Sequence, residues 1–218
     1  LEEKQRTYAE HGMVWLRGLS TRAQVCTACH VGTATADVNH DLIAAGHPRL
    51  TFELTVYQAH MPRHWSEKEE KARHADFEAR AWVIGQAACA QASLELLAAR
   101  AQPATRPWPE FAESDCFACH HDLRQPSRRI QRGYGGSAPG LVPWSEWPYA
   151  LLPSALQLQP GKDVARILTG VDDLRRLMRH PLPDAPLVAK KARDTADLLK
   201  QWLDEADKGK DEETRRHQ

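Results

Sequence analysis

Cys26-Thr27-Ala28-Cys29-His30, and 90 residues further on Cys116-Phe117-Ala118-Cys119-His120, are the stretches that decide how this chain is organised. C-x-x-C-H is the attachment pattern of c-type haem. The two thiols add across the porphyrin vinyl groups, and the short tether places the following His on one side of the iron. With 5 Cys and 11 His in 218 residues, chance supplies about 0.006 matches to such a pattern. The rival readings are a zinc site built from two C-x-x-C knuckles, a thioredoxin-like dithiol, and structural disulfides. A four-thiolate zinc site needs no His behind both knuckles, and a redox dithiol needs only one pair. Two covalently bound haem c groups are therefore expected, with proximal ligands His30 and His120, organising a mostly α chain with long irregular loops and a C-terminal helical pair.

Around these motifs the bulk composition is permissive. A chain of 218 residues fits one domain with a helical appendage, and the expected division is a haem-bearing domain over 1–160 and a helical extension over 161–218. Lys plus Arg and Asp plus Glu each number 29, so no field of one sign marks a nucleic-acid or polyanion binder. Haem propionates would make the loaded protein more acidic than its apoprotein. Covalent haem attachment in bacteria takes place outside the cytoplasm, which predicts a periplasmic or otherwise exported protein. Leu1-Glu2-Glu3-Lys4 has no apolar signal core and reads as the start of a mature or partial chain. Cys89 is left without a partner once the motifs take the other four cysteines, so no disulfide framework is expected. Nowhere do 18 consecutive apolar residues occur, so no membrane span is expected in this chain.

Periodicity predicts a helix from Glu2 to about Leu19, delivering the chain into the first motif. Residues 31–48 read as turns with one short helical stretch, and Pro48 is placed to open a helix running through Leu50, Phe52, Leu54, Val56 and Tyr57 to Met61. Glu67 to Arg100 reads as a long helix or a broken pair, rich in small residues from Ala81 to Ala92, which permit close approach to a flat macrocycle or to another helix. Asp122 to Pro160 is rich in Pro and Gly and reads as an irregular wrap anchored by Trp144, Trp147 and Tyr149. Lys162 to Met178 and Asp184 to Asp207 read as amphipathic helices, the second carrying a stripe of Val188, Ala192, Ala196, Leu199 and Trp202.

The sixth position on each iron separates an electron carrier from a catalytic haem. His47, between Gly46 and Pro48, is the first candidate for a distal ligand, and His40, followed by Asp41, is the second. His11 and His121 are weaker candidates, followed by His64. His60, His74, His180 and His217 read as solvated or hydrogen-bonded side chains, and Met13, Met61 and Met178 as core residues. Arg124, Arg128, Arg129 and Arg132 follow the second motif and are candidates for pairing with haem propionates.

With Arg22 to Gly32, Asn39 to Leu50 and Cys116 to Leu123 in hand, the chain resembles the multihaem c-type cytochromes, in the group that includes the tetrahaem electron carriers of nitrifying bacteria. The resemblance implies covalent haem c, His/His ligation and periplasmic electron transfer with other redox proteins. Such relatives often carry further C-x-x-C-H motifs upstream, and only two are present here, so an upstream haem-bearing segment or partner chain is an expectation. The leading reading is electron relay through two bis-His haems of low potential. The alternatives are an enzyme with one five-coordinate iron acting on a small nitrogen or oxygen species, and a haem-wire or complex subunit docked through the 161–218 helices.

Overall fold

The computed structural model describes residues 2–16, 18–62, 65–102, 107–128, 131 and 141–216. Nine α-helices are named among them: α1 (Glu2–Glu10), α2 (Leu19–His30), α3 (His40–Ala44), α4 (Leu54–His60), α5 (Glu67–Arg73), α6 (Phe77–Arg100), α7 (Leu152–Leu158), α8 (Val164–Leu177) and α9 (Ala185–Arg216). Short 3-10 turns lie at Phe111–Glu113, Cys116–Ala118 and Trp147–Tyr149. The fold is mostly α, as the pattern predicts, with long irregular connections.

Helix α6 is the axis of the molecule. Nearly its whole circumference is buried, from Phe77 and Ile84 to Leu94 and Leu97, as expected of a helix packed on every side. Helices α2, α4, α7 and α9 and the 3-10 turn at Trp147 all pack on it. Ala87, Ala88 and Ala90 are fully enclosed by protein, so its small side chains serve helix packing. Gly85 marks the tightest crossing: a Cβ there would lie 2.6 Å from Leu54 Cβ on α4. On α9 the stripe Val188, Ala192, Ala196, Leu199 and Trp202 is buried together with Leu203 in the same core cluster as α6 and α8. Each fully buried Leu here contributes about 1.5–3 kcal/mol. Trp202, 3% exposed, thus finds its burial inside its own chain, which removes the reason for seeking a docking partner for that stripe.

Several local expectations are corrected. The single helix expected from Glu2 to Leu19 is broken: α1 stops at Glu10, Gly12 adopts φ +68°, and the chain re-enters helix at Leu19. A left-handed residue cannot continue an α-helix. Pro48 opens no helix, since residues 49–53 are non-helical and α4 begins only where the Glu53 carboxylate accepts from the Thr55 and Val56 N–H groups. That carboxylate satisfies the free donors of the first turn. Within the wrap, Leu152–Leu158 is helical, and Trp144 and Tyr149 are buried anchors while Trp147 is 60% exposed. Met178 is a core residue as expected, but Met13 is 50% exposed. Glu67 to Arg100 is the broken pair α5 and α6, with α5 capped by the Ser66 side chain on the Glu69 N–H.

Candidate functional site

Helix α2 ends on the first motif. Cys26, Cys29 and His30 stand at i, i+3 and i+4, the spacing that places three side chains on one helical face. Cys26 and His30 are half-buried, whereas Cys29 is exposed. The His30 ring stacks on Phe52, with centroids 5.5 Å apart and planes at 17°, and meets the edge of Tyr57 at 4.6 Å. Phe52 is buried in the core, so the imidazole rests against an aromatic wall that the protein interior holds still. Burial, and then the charge of the neighbouring Cys29, push the Cys26 thiol above its ordinary value.

The second motif is a single turn rather than the end of a long helix. Its 3-10 segment Cys116–Ala118 is capped by the Asp115 carboxylate, which accepts from the Phe117 N–H at 3.1 Å. The His120 N–H donates to the Cys116 carbonyl at 2.8 Å, so this turn repeats the i, i+3, i+4 placement. Cys116, Cys119 and His120 are all exposed. The turn is anchored from behind, where the Asp115 N–H donates to the Pro143 carbonyl and the Ser145 N–H to the Glu113 carbonyl.

The loop from Asn39 to Leu50 is fastened to that second turn. The Glu110 carboxylate accepts from the His40 and Ala112 N–H groups, both at 2.9 Å, and the His40 ring meets Phe111 edge-on at 5.7 Å. Arg49 donates to the Ser114 and Ala112 carbonyls at 2.9 and 3.0 Å, and its Nη1 lies 3.1 Å from Cys116 Sγ. Arg49 therefore touches the second motif while Phe52, three residues on, stacks on the His30 ring of the first. A cleft of about 80 Å³ opens between them, lined among others by Val31, Leu50, Ala112 and Glu113.

A buried ion cluster ties the same segments to the core. Arg100, at the end of α6, donates to the Asp37 carboxylate at 3.0 Å, to Glu113 at 2.7 Å and to the Val38 carbonyl at 3.1 Å. Burial opposes its charge, but the Glu113 and Asp37 carboxylates outweigh it and hold the guanidinium above its ordinary value. Trp144 Nε1 donates to the other Glu113 oxygen at 3.2 Å. The segment leaving the first motif and the segment entering the second are thus held by one cation. One turn before Cys26 on α2, buried Arg22 pairs with Glu70 at 2.7 Å and lies over Trp65.

The distal candidates are placed unevenly. His40 is half-buried beside the second turn, whereas His47 is exposed, with Nδ1 2.7 Å from the Pro48 carbonyl. Gly46 before it adopts φ +108° with open space around its missing Cβ, so glycine is needed here for conformation rather than for close approach. His121 is exposed, its Nδ1 2.9 Å from the Asp122 carbonyl, and His11 is exposed at the end of α1. His64, His217, Arg129 and Arg132 lie outside the described residues, while Arg124 and Arg128 are exposed. Among the described residues no group of three or more His, Cys, Asp or Glu converges as a metal held by protein side chains alone requires, and no helix among them is long and apolar enough to cross a membrane.

Arg49, Phe52, Tyr57, Arg100 and Glu113 carry no motif, and sequence reasoning assigns them no part in the site. Their importance lies in partners dozens of residues away. No family model matches the chain, and no curated protein and no solved structure is significantly similar to it.

Proposed function

We propose that this is an exported electron-transfer protein of the multihaem c-type cytochrome kind, holding one haem on Cys26 and Cys29 with His30 as proximal ligand and a second on Cys116 and Cys119 with His120. The observation that carries the reading is the shared geometry of the two C-x-x-C-H motifs, each folded as a helical turn with two sulfurs and an imidazole at i, i+3 and i+4. The surroundings fit a flat apolar macrocycle. Phe117, between the second pair of cysteines, is 75% exposed, Leu123 is 91% exposed, and Val25 beside Cys26 is 44% exposed. Exposed apolar side chains thus stand beside each motif, where a bound macrocycle would cover them.

Haem, when bound, supplies the one-electron change at iron. The chain's own residues orient, shield and tune. Phe52 and Tyr57 fix the plane of His30, Asp115 fixes the second turn, and the 49–52 stretch holds the two motifs in one rigid neighbourhood. His47 and His40 are proposed as distal ligands, with His11 and His121 behind them. A histidine whose Nδ1 faces a backbone carbonyl presents Nε2 outward, and His47 has that arrangement. Two imidazoles on iron favour a low potential.

Expression with a haem-attachment system and intact-mass measurement tests the cofactor: the mass of two haems is expected, and Cys26→Ser should remove one. The ferric optical and EPR spectra should be low-spin. His47→Ala should convert one haem to high spin, and an unchanged spectrum would strike His47 from the ligand set.

A further inference from the structure

Arg49 is a half-buried cation held by uncharged groups. Its Nη1 donates to the Ser114 carbonyl at 2.9 Å and lies 3.1 Å from Cys116 Sγ, while its Nη2 donates to the Ala112 carbonyl at 3.0 Å. No carboxylate of the described residues is among its partners. The other cations beside the motifs are matched: Arg22 faces Glu70, and Arg100 faces Asp37 and Glu113. The carboxylates on the segment that Arg49 grips are engaged elsewhere. Glu110 accepts from the His40 and Ala112 N–H groups, Glu113 from Arg100 and Trp144, and Asp115 from the Phe117 N–H. Two carbonyls and a sulfur thus fix the guanidinium in place without cancelling its charge.

Cys116 Sγ is the atom through which the chain would join the macrocycle. Its S–H adds across a vinyl group, the sulfur bonding to one carbon and the hydrogen passing to the other. The resulting thioether keeps a lone pair, so the Arg49 N–H still has an acceptor there. Ferric haem carries one more positive charge than ferrous haem, and a fixed cation at its edge disfavours the ferric form. The site has a use for that effect. Cys116, Cys119 and His120 are all exposed, and water around a haem stabilises the ferric state and lowers the potential. At the first motif, no cation among the described residues contacts either sulfur, and the charge of Arg22, one turn before Cys26, is answered by Glu70.

We propose that Arg49 tunes the haem tethered at Cys116 and Cys119, its unmatched charge at the thioether sulfur raising the potential of that haem with little effect on the first. The inference rests on the haem reading above.

The test uses the haem-loaded full chain and the variants Arg49→Met, Arg49→Gln and Arg49→Lys, with intact mass counting the haems first. Arg49→Met and Arg49→Gln should each lower one of the two midpoint potentials, seen as a several-fold shift in equilibrium with a mediator of fixed potential. Arg49→Lys keeps the charge and should hold that potential near the wild-type value. The ferric spectra should stay low-spin throughout. Cys26→Ser combined with Cys29→Ser leaves only the second haem, and Arg49→Met should lower its potential in that background too. Two haems with potentials unchanged in Arg49→Met would overturn the tuning role while leaving the electron-transfer reading standing. Restoration by Arg49→Gln but not by Arg49→Lys would reduce Arg49 to a fastener of the loop and overturn the charge effect. A high-spin signal accompanying the fall would assign it to a lost axial ligand, with the same consequence. A wild-type protein without haem would overturn both readings.

Discussion

Gly85→Ala sets two effects of opposite sign against each other at one position. In the interior of a helix, Ala is favoured over Gly by about 1 kcal/mol, so on propensity alone the substitution should stabilise α6. The added Cβ, however, would lie 2.6 Å from Leu54 Cβ. That atom is not the far end of a flexible side chain, and Leu54 is only 1% exposed, so α4 itself must shift. Overpacking of this kind costs about 1–3 kcal/mol. The expected net loss is about 0–2 kcal/mol, at its upper end roughly 4–8 °C in Tm for a chain of this size, read by urea unfolding followed through far-UV circular dichroism. Leu54→Ala alone should cost about 2–5 kcal/mol. The double variant should be less destabilised than the sum, with a coupling of about 0.5–3 kcal/mol, because the smaller partner makes room for the methyl group. The shift should also disturb Phe52 and Tyr57, and with them the environment of His30. A Gly85→Ala protein stabilised by about 1 kcal/mol, or strict additivity in the double variant, would refute the crossing as described.

Other perturbations reach different parts of the same frame. Arg100→Met should cost about 3–5 kcal/mol in the same unfolding assay, since the Asp37 and Glu113 carboxylates, 8% and 11% exposed, would each lose their contact with Arg100; a loss under about 1 kcal/mol would show that the cluster is not what ties the segments together. Cys89 supplies a pH test: burial pushes its thiol up from 9.0 to about 11. The unfolded chain therefore loses that proton first, so stability from this group is intact below about pH 9 and falls by about 3 kcal/mol as the pH rises to 11. Cys89→Ala should remove that portion of the alkaline loss, and identical slopes for the two proteins would contradict it. In the native state at neutral pH, Cys89 should also resist alkylation, as a neutral buried thiol is a poor nucleophile.

The candidate site was legible where its chemistry is local. Cys26, Cys29 and His30 belong to one helical turn, as do Cys116, Cys119 and His120, so a window of five residues contains the whole arrangement. The amphipathic stripe of α9 was likewise readable, because periodicity acts within a turn or two, whereas Glu67 to Arg100 was left open between one helix and a broken pair. Gly12 and Glu53 misled the reading of α1 and α4 because a positive φ and a side-chain cap decide where a helix starts or stops, and hydrophobic spacing does not register either.

By itself the sequence determined that the chain is mostly helical and that two C-x-x-C-H segments recur 90 residues apart, because both follow from neighbours along the chain. Only the tertiary structure decided that Arg49 would meet Cys116 across 67 positions, that Arg100 would hold Asp37 across 63, and that Arg22 would reach Glu70 across 48. Such contacts are chosen by the packing of helices on α6. Shape and burial select the partner there, and no short pattern in the chain can carry that information.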